Sequence, residues 1–336
     1  PLRLHGTLTK KDSHAMRAVY IEQNGGVEAL IYGERFKPEP GPGEVLVKIA
    51  VSGVNFIDTY HRTGHYKLPL PAILGSEAAG TVERIGEGVT GFKAGDRVAY
   101  AMARGSYAEY QAVSAKLLAH VPAPVDLRDA AAVMLQGMTA YYLTHSTFPL
   151  KPGHTALIHA AAGGTGRLLV QMAAMQGARV IATVGTEAKA ALAREAGAAD
   201  VILYDRPDWP AEVRGLTGGA GVDVVYDSVG QATFLQGLDC LKVCGMMVSF
   251  GQSSGAVPPL DILTLSAKGS LYVTRPTLAS HIGPAAIAQS TGDIFEWIVE
   301  DKLKLRVEHV YKLAQAAQAH LDLEGRRTTG KLILEV

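Results

Sequence analysis

One segment limits what this chain can fold into more than any other: Ala156-Leu-Ile-His-Ala-Ala-Ala-Gly-Gly-Thr-Gly166. Its first residues read as a strand that runs straight into a cluster of small side chains. A helix-like stretch, Arg167–Gln176, follows and closes on Gly177, and a second strand pattern covers Arg179–Val184. Strand, glycine turn, helix and strand in this order make the βαβ unit that a dinucleotide fingerprint requires. With no side chains in the way, backbone can approach a pyrophosphate, and the first N–H groups of the helix face its charge. The strict pattern is G-x-G-x-x-G, and here Ala161 takes the first place before Gly163 and Gly166. Ala162, Gly163, Gly164 and Gly166 are therefore the candidate pyrophosphate cradle. The competing reading is a plain tight turn in a parallel sheet.

Strand-like runs recur on both sides of this unit. Downstream they are Val201–Tyr204, Val222–Asp227, Met246–Phe250 and Ser270–Thr274, with helix-like runs such as Glu187–Ala196 and Thr233–Leu241 between them. That alternation predicts a doubly wound parallel sheet covered on both faces. Upstream, Met16–Glu22, Glu44–Ser52, Ala78–Ile85, Arg97–Ala101 and Ala108–Val113 are strand-like and separated by turns such as Pro40-Gly-Pro-Gly43. No helical periodicity organises this part before Asp126–Met134, and a second helix is expected over Met138–Phe148. Beyond Pro276 come helical stretches near Ala285–Glu300 and Leu313–Glu324. The final strand pattern, Lys331–Val336, is expected to return to the first, β-rich unit. The resulting division is an extension over 1–15, a β-rich unit from 16–137 and 277–336, and a nucleotide unit from 138–276.

At 336 residues, 48% hydrophobic and 19% charged, the chain suits two domains with sizeable cores. Lys plus Arg and Asp plus Glu both number 32, and no basic block stands out, so nucleic acid is not an expected partner. No apolar run approaches a membrane span, and the polar start shows no secretory pattern. Two cysteines, Cys240 and Cys244, exclude a disulfide framework and point to a cytoplasmic chain. Their spacing suits one helix face, cut short by Gly245.

Seven stretches, one of them the glycine turn itself, carry a family resemblance: Gly53–Tyr60, Gly75–Gly80, Gly95–Val98, His159–Gly166, Val225–Gly230, Val248–Gly251 and Tyr272–Pro276. In order and content they resemble the medium-chain dehydrogenase/reductase superfamily, specifically its zeta-crystallin-like quinone oxidoreductases. The resemblance implies an α/β fold with a GroES-like β-rich catalytic domain and a Rossmann domain. It also implies an NADPH-dependent quinone reductase, commonly a homodimer. Zinc alcohol dehydrogenases of this superfamily draw catalytic ligands from a Cys near the place of Asn55 and a His just before Glu77. This chain has Asn55 and Ser76 there, and no cysteine before Cys240. A zinc site needs about four thiolate, imidazole or carboxylate ligands, so a metal-free enzyme is expected.

The residues favour NADPH over NADH. An NAD-preferring site places a carboxylate after the second strand, ~20 residues past the glycine turn. Here Gly185 and Thr186 follow Val184, and Glu187 begins the next helix. Lys189, one turn on, suits a 2′-phosphate. The resemblance adds Tyr204 and Arg326 around that phosphate, and Thr139, at the start of its helix, beside the nicotinamide. Phe250 and Gly251 follow the fifth strand, where open parallel sheets bind ligands. For the acceptor pocket the resemblance supplies Asn55, Tyr60 and Tyr66. An amide and a phenol can both donate to a quinone oxygen that gains charge. The same pocket suits enones and other conjugated carbonyls. A nucleic-acid-binding, crystallin-like role is the alternative from another class, and the balanced charge counts against it.

Overall fold

The computed structural model describes residues 15–204, 208–326 and 328–336. The expected extension lies outside the described residues apart from Ala15. The β-rich part comprises β1 (Ala15–Ile21), β2 (Ile31–Phe36), β3 (Glu44–Val54), α1 (Phe56–Thr63), β4 (Ala72–Ile73), β5 (Glu77–Ile85), β6 (Arg97–Ala101), β7 (Tyr110–Ser114) and β8 (Leu118–His120). Helix α2 (Leu127–Tyr142) leads to β9 (Thr155–Ile158), α3 (Gly164–Met175), β10 (Arg179–Val184), α4 (Glu187–Glu195), β11 (Asp200–Leu203), α5 (Trp209–Leu216) and β12 (Val222–Asp227). Next come α6 (Phe234–Asp239), β13 (Leu241–Ser249), α7 (Leu263–Ala267), β14 (Tyr272–Thr274), α8 (Pro284–Val299), β15 (Val307–Lys312), α9 (Ala316–Glu324) and β16 (Lys331–Glu335).

The parallel sheet has six strands in the order β11-β10-β9-β12-β13-β14. Strand β12 is buried at every position, as expected of a strand covered by helices on both faces. The strand order reverses between β9 and β12, and the ligand crevice of such a sheet opens there, beyond the strand C-termini. A second sheet runs β15-β16-β3-β5-β6-β8, with β7 also pairing β3. The terminal strand does return: β16 lies antiparallel to β3, with Leu332 opposite Val54 and Glu335 opposite Val51.

Helix α2 joins the two halves. Asp126 caps it by accepting from the Arg128 N–H at 2.7 Å. Its alanines let it pack against α3 on one side and β5 and β6 on the other. One core cluster consequently runs through both sheets and α2. The two helices expected on either side of residue 137 are this single helix, continued by a π-helical turn over Leu143–Thr147. Gly137 does not interrupt it: a Cβ there would press on Val133 at 2.6 Å, so a bare position suits the packing.

Helix α1 lies inside the β-rich unit, where no helical periodicity is visible before Asp126. It was hidden because its buried face is polar, formed by Asp58, Thr59, His61 and Arg62. Apolar periodicity detects only helices that bury apolar side chains. The cysteine expectation fails. Cys240 caps the end of α6 and is buried, whereas Cys244 lies in strand β13, exposed, with φ +59°.

Candidate active site

A cleft of about 320 Å³ opens where the two sheets face each other across α2. The turn after β9 forms its floor. Ala160 holds φ +51°, so the left-handed residue of this turn is an alanine just before the fingerprint. A Cβ on Gly166 would run into the Ala160 carbonyl, and one on Gly164 into the Gln136 side chain. These glycines let α3 seat against β9 and let α2 approach the turn. Gly163 precedes the helix as its cap in extended backbone, which leaves the first N–H groups of α3 open to the cleft.

At one end of the cleft lie Gly185, Lys189, Tyr204 and Arg326. Thr186 caps α4 and accepts from the Lys189 N–H at 3.3 Å. The Lys189 ammonium donates to the Arg326 carbonyl at 3.2 Å, which ties α4 to the chain leaving α9. A Cβ on Gly185 would come within 3.6 Å of the Tyr204 hydroxyl. No carboxylate among the described residues lines the cleft, and Glu187 starts α4 as expected.

The opposite end is walled by Asn55, Tyr60, Tyr66, Thr139, Tyr142, Phe250 and Gly251. Tyr60 and Tyr66 meet edge-to-face with ring centroids 5.3 Å apart. Burial pushes the Tyr60 phenol up to about 12, partly offset by the Gln252 backbone N–H. At neutral pH it is a proton donor. Thr139 is not at a helix start: it lies inside α2 and donates to the Leu135 carbonyl at 2.7 Å. Its hydroxyl lone pairs remain available to the cleft. Every candidate residue from the sequence lines this one cleft.

Behind Asn55 lies a buried charge network that sequence reasoning missed. Lys331, first residue of β16, pairs with Glu77, first residue of β5, and donates to the Asn55 side-chain oxygen at 2.8 Å. Asn55 Nδ2 donates to Glu77 Oε1 at 2.6 Å, and Gln136 donates to Asn55 Oδ1 at 3.2 Å. Glu77 Oε2 accepts from the Leu135 N–H at 2.6 Å. One N–H of Asn55 is thus committed to Glu77, and the other remains for a ligand. The only sequence signal was Glu77 itself, a carboxylate amid small apolar residues. A buried carboxylate must find a cation, but nothing in the sequence identifies Lys331, 254 positions away.

A second chain of buried groups adjoins it. Asp58 accepts from Ser76 Oγ at 2.7 Å, the Asn55 N–H at 2.9 Å and the Tyr107 hydroxyl at 3.2 Å. Tyr107 meets His320 Nε2 at 3.1 Å, and Arg62 meets His320 Nδ1 at 3.0 Å. Arginine only donates, so Nδ1 accepts and the ring carries its proton on Nε2, which donates to Tyr107. Arg62 also grips Glu324 at 2.8 and 3.0 Å.

Burial raises the Asp58 carboxyl to about 6, against the opposing pull of its Ser76 and Asn55 hydrogen bonds. Burial, aided by the Arg62 charge, lowers His320 to about 3. The two act oppositely on stability. Between about pH 4 and 6 the folded state holds the Asp58 proton more tightly than the unfolded chain, so this contribution is lost as pH rises. His320 resists protonation, so its contribution is lost as pH falls from about 6.5 toward 3. Subtracting the thermal midpoint of Asp58→Asn from that of the wild type should isolate the first effect, as a difference that declines from pH 4 to 6. A flat difference curve would mean that Asp58 titrates normally.

The same contacts decide whether zinc fits. Where zinc ligands would stand, the Asn55 amide is bonded by three neighbours, the Ser76 hydroxyl is turned onto Asp58, and the Lys331 ammonium fills the place beside Glu77. A second cation there would meet like charge and no free donor set. Among the described residues no group of three or more His, Cys, Asp or Glu is arranged to hold an ion. These residues do not fit a metal.

Two family descriptions match the chain: "Alcohol dehydrogenase GroES-like domain" over residues 41–123 and "Zinc-binding dehydrogenase" over residues 164–288. A quinone oxidoreductase of Pseudomonas aeruginosa is 45% identical over 92% of this chain and 96% of its own. The solved structure of the Escherichia coli quinone oxidoreductase complexed with NADPH superposes with a TM-score of 0.93 at 43% identity, covering 95% of this chain and all of the other. A 2-haloacrylate reductase of Burkholderia is 41% identical over 94% of this chain and 98% of its own.

Proposed function

The chain belongs to the quinone oxidoreductase branch of the medium-chain dehydrogenase/reductase superfamily, and from that membership we propose that it is an NADPH-dependent quinone reductase working without a metal. One observation carries the reading. A single cleft joins a glycine turn and a cationic end, Lys189 with Arg326, to a wall of hydrogen-bond donors on flat aromatic surfaces. The donor set fits the cofactor. Gly163, Gly164 and Gly166 leave the α3 amides open for the pyrophosphate, with Ala162 beside them. Gly185, Lys189, Tyr204 and Arg326 would take the 2′-phosphate, and Thr139, Phe250 and Gly251 would flank the nicotinamide. When bound, NADPH supplies a hydride.

The chain's own residues handle the acceptor. Tyr60 and Tyr66 give a flat quinone a packing surface. The uncommitted N–H of Asn55 and the Tyr60 hydroxyl donate to the oxygen that becomes negative during reduction. Glu77 and Lys331 hold the Asn55 amide in one orientation, so its donor is already aimed when charge develops.

We further propose units over 16–137 with 277–336 and over 138–276, sharing α2 at the boundary. A cytoplasmic location is supported by two free cysteines, and no helix among the described residues is long and apolar enough to cross a membrane. A homodimer is supported by the edge strand β14, where Tyr272 and Val273 are exposed; sedimentation of the native chain reads this directly. Reduction of conjugated carbonyls is the second reading. It is favoured by the 2-haloacrylate reductase at 41% identity, whose acceptor by that name is an electron-poor alkene.

The deciding experiment follows oxidation of NADPH and NADH with a small neutral quinone, with and without a strong chelator. Chelator-resistant turnover that prefers NADPH is expected. Turnover abolished by the chelator and restored by zinc would overturn the metal-free mechanism. Turnover only with enones would move the activity to the second reading.

A further inference from the structure

The cleft is lined by three cations, Lys189, Arg275 and Arg326, and by no carboxylate among the described residues. A cleft of one charge sign concentrates ligands of the other. Lys189 and Arg326 sit together beyond the glycine turn, joined at 3.2 Å, where the adenosine end of NADPH accounts for both. Arg275 stands apart from them, at the acceptor end. It follows β14, and one guanidinium nitrogen meets the Tyr66 hydroxyl at 3.4 Å while another meets the Pro276 carbonyl at 3.3 Å. Its charge also acts on the phenols of Tyr60 and Tyr142, opposing the upward push of their burial.

A guanidinium has five N–H donors in a planar fork. These two long contacts leave most of that fork unused, and no ion pair holds Arg275 among the described residues, although it borders the acceptor wall. A neutral quinone would offer this cation only an uncharged carbonyl oxygen, with no anion to pair with. A carboxylate or sulfonate beside the reducible carbonyl would take it as a bidentate partner.

We propose that Arg275 selects anionic acceptors, electron-poor carbonyl compounds that carry a carboxylate or sulfonate within reach of the cleft mouth. The proposal rests on the reading of this cleft as the acceptor site. The flat acceptor packs on Tyr60 and Tyr66, and its anionic substituent meets the Arg275 fork at the rim. Acceptor choice is then set by two features that meet in the cleft: aromatic wall from α1 and the turn that follows it, and charge from the end of β14.

Two measurements on the full chain test it. The first compares 1,4-naphthoquinone-2-sulfonate with 1,4-naphthoquinone as acceptors for the wild type, Arg275→Met and Arg275→Lys. The ratio of kcat/KM for the anionic over the neutral quinone should fall about tenfold in Arg275→Met, the size of one lost charge-assisted contact. Arg275→Lys should fall between, since a point charge replaces a fork. The second is calorimetry of naphthalene-2-sulfonate, which cannot be reduced, binding to the NADP⁺-loaded protein. Its Kd should rise by a similar factor in Arg275→Met. Equal losses for both quinones, or an unchanged sulfonate Kd, overturn the proposal. So does a weakening confined to NADP⁺, which would assign Arg275 to the cofactor. If the wild type reduces neither quinone, the quinone reading fails, while the sulfonate Kd still decides the role of Arg275.

Discussion

Replacing Lys189 and Arg326 together by alanine is expected to lower the preference for NADPH over NADH by roughly 100-fold. A hydrogen bond to a charged group is worth about 1.5–3 kcal/mol, and about 1.4 kcal/mol is tenfold. Each cation therefore contributes about 10–100-fold toward a 2′-phosphate. The two do not act independently, because the Lys189 ammonium also donates to the Arg326 carbonyl. Loss of the Lys189 side chain loosens the loop that presents Arg326, whereas Arg326→Ala keeps the carbonyl, so the single variants should sum to more than the double. The readout is the ratio of kcat/KM for the two cofactors with one quinone. A parallel fall for both would show that these cations support the fold rather than read the phosphate.

Lys331→Met should be the most destabilising single change near the site. It leaves Glu77 buried without its cation, and removing one partner of a buried ion pair costs about 3–5 kcal/mol. The thermal midpoint should drop by roughly 10 °C. The pair itself is not a source of that much stability, since desolvation offsets most of its attraction. The Lys331→Met/Glu77→Gln double variant should accordingly be more stable than Lys331→Met alone. Activity should not recover with it. Asn55 would have lost the ammonium that fixes its oxygen, and with it the orientation of its free N–H. kcat should remain reduced about tenfold or more, within the range for a misaimed donor, while KM for NADPH stays near that of the wild type. If the double variant restores stability and kcat together, the network is merely structural and Asn55 is held by other contacts.

The nucleotide half of this protein was readable because its signals are local. A strand, a turn of small residues and an amphipathic helix lie within ~30 residues, and their order alone implies the crevice beyond the strand ends. The absent carboxylate after β10 and the presence of Lys189 are likewise read from adjacent positions. Helix α1 was not readable, because it buries Asp58 and Arg62 where a pattern search expects apolar side chains. The position of Thr139 was misjudged for a related reason. α2 runs unbroken through Gly137, since tight packing against Val133 favours a bare position in mid-helix.

The buried network behind Asn55 lies at the other extreme. Glu77 and Lys331, Arg62 and Glu324, and Tyr107 and His320 are pairs drawn from distant parts of the chain. A charge in a sequence announces that burial would need a partner, but it carries no information about which partner the topology will deliver. The sequence by itself determined the parallel-sheet unit, the glycine turn after β9 and the lack of a carboxylate between β10 and α4, because each follows from neighbours along the chain. Only the tertiary structure decided what stands behind Asn55, what occupies the place of a metal, and that Arg275 stands at the acceptor end with no ion pair among the described residues. Those outcomes depend on β16 returning to β3 and on the two sheets closing over α2, contacts set by packing between segments far apart in the chain.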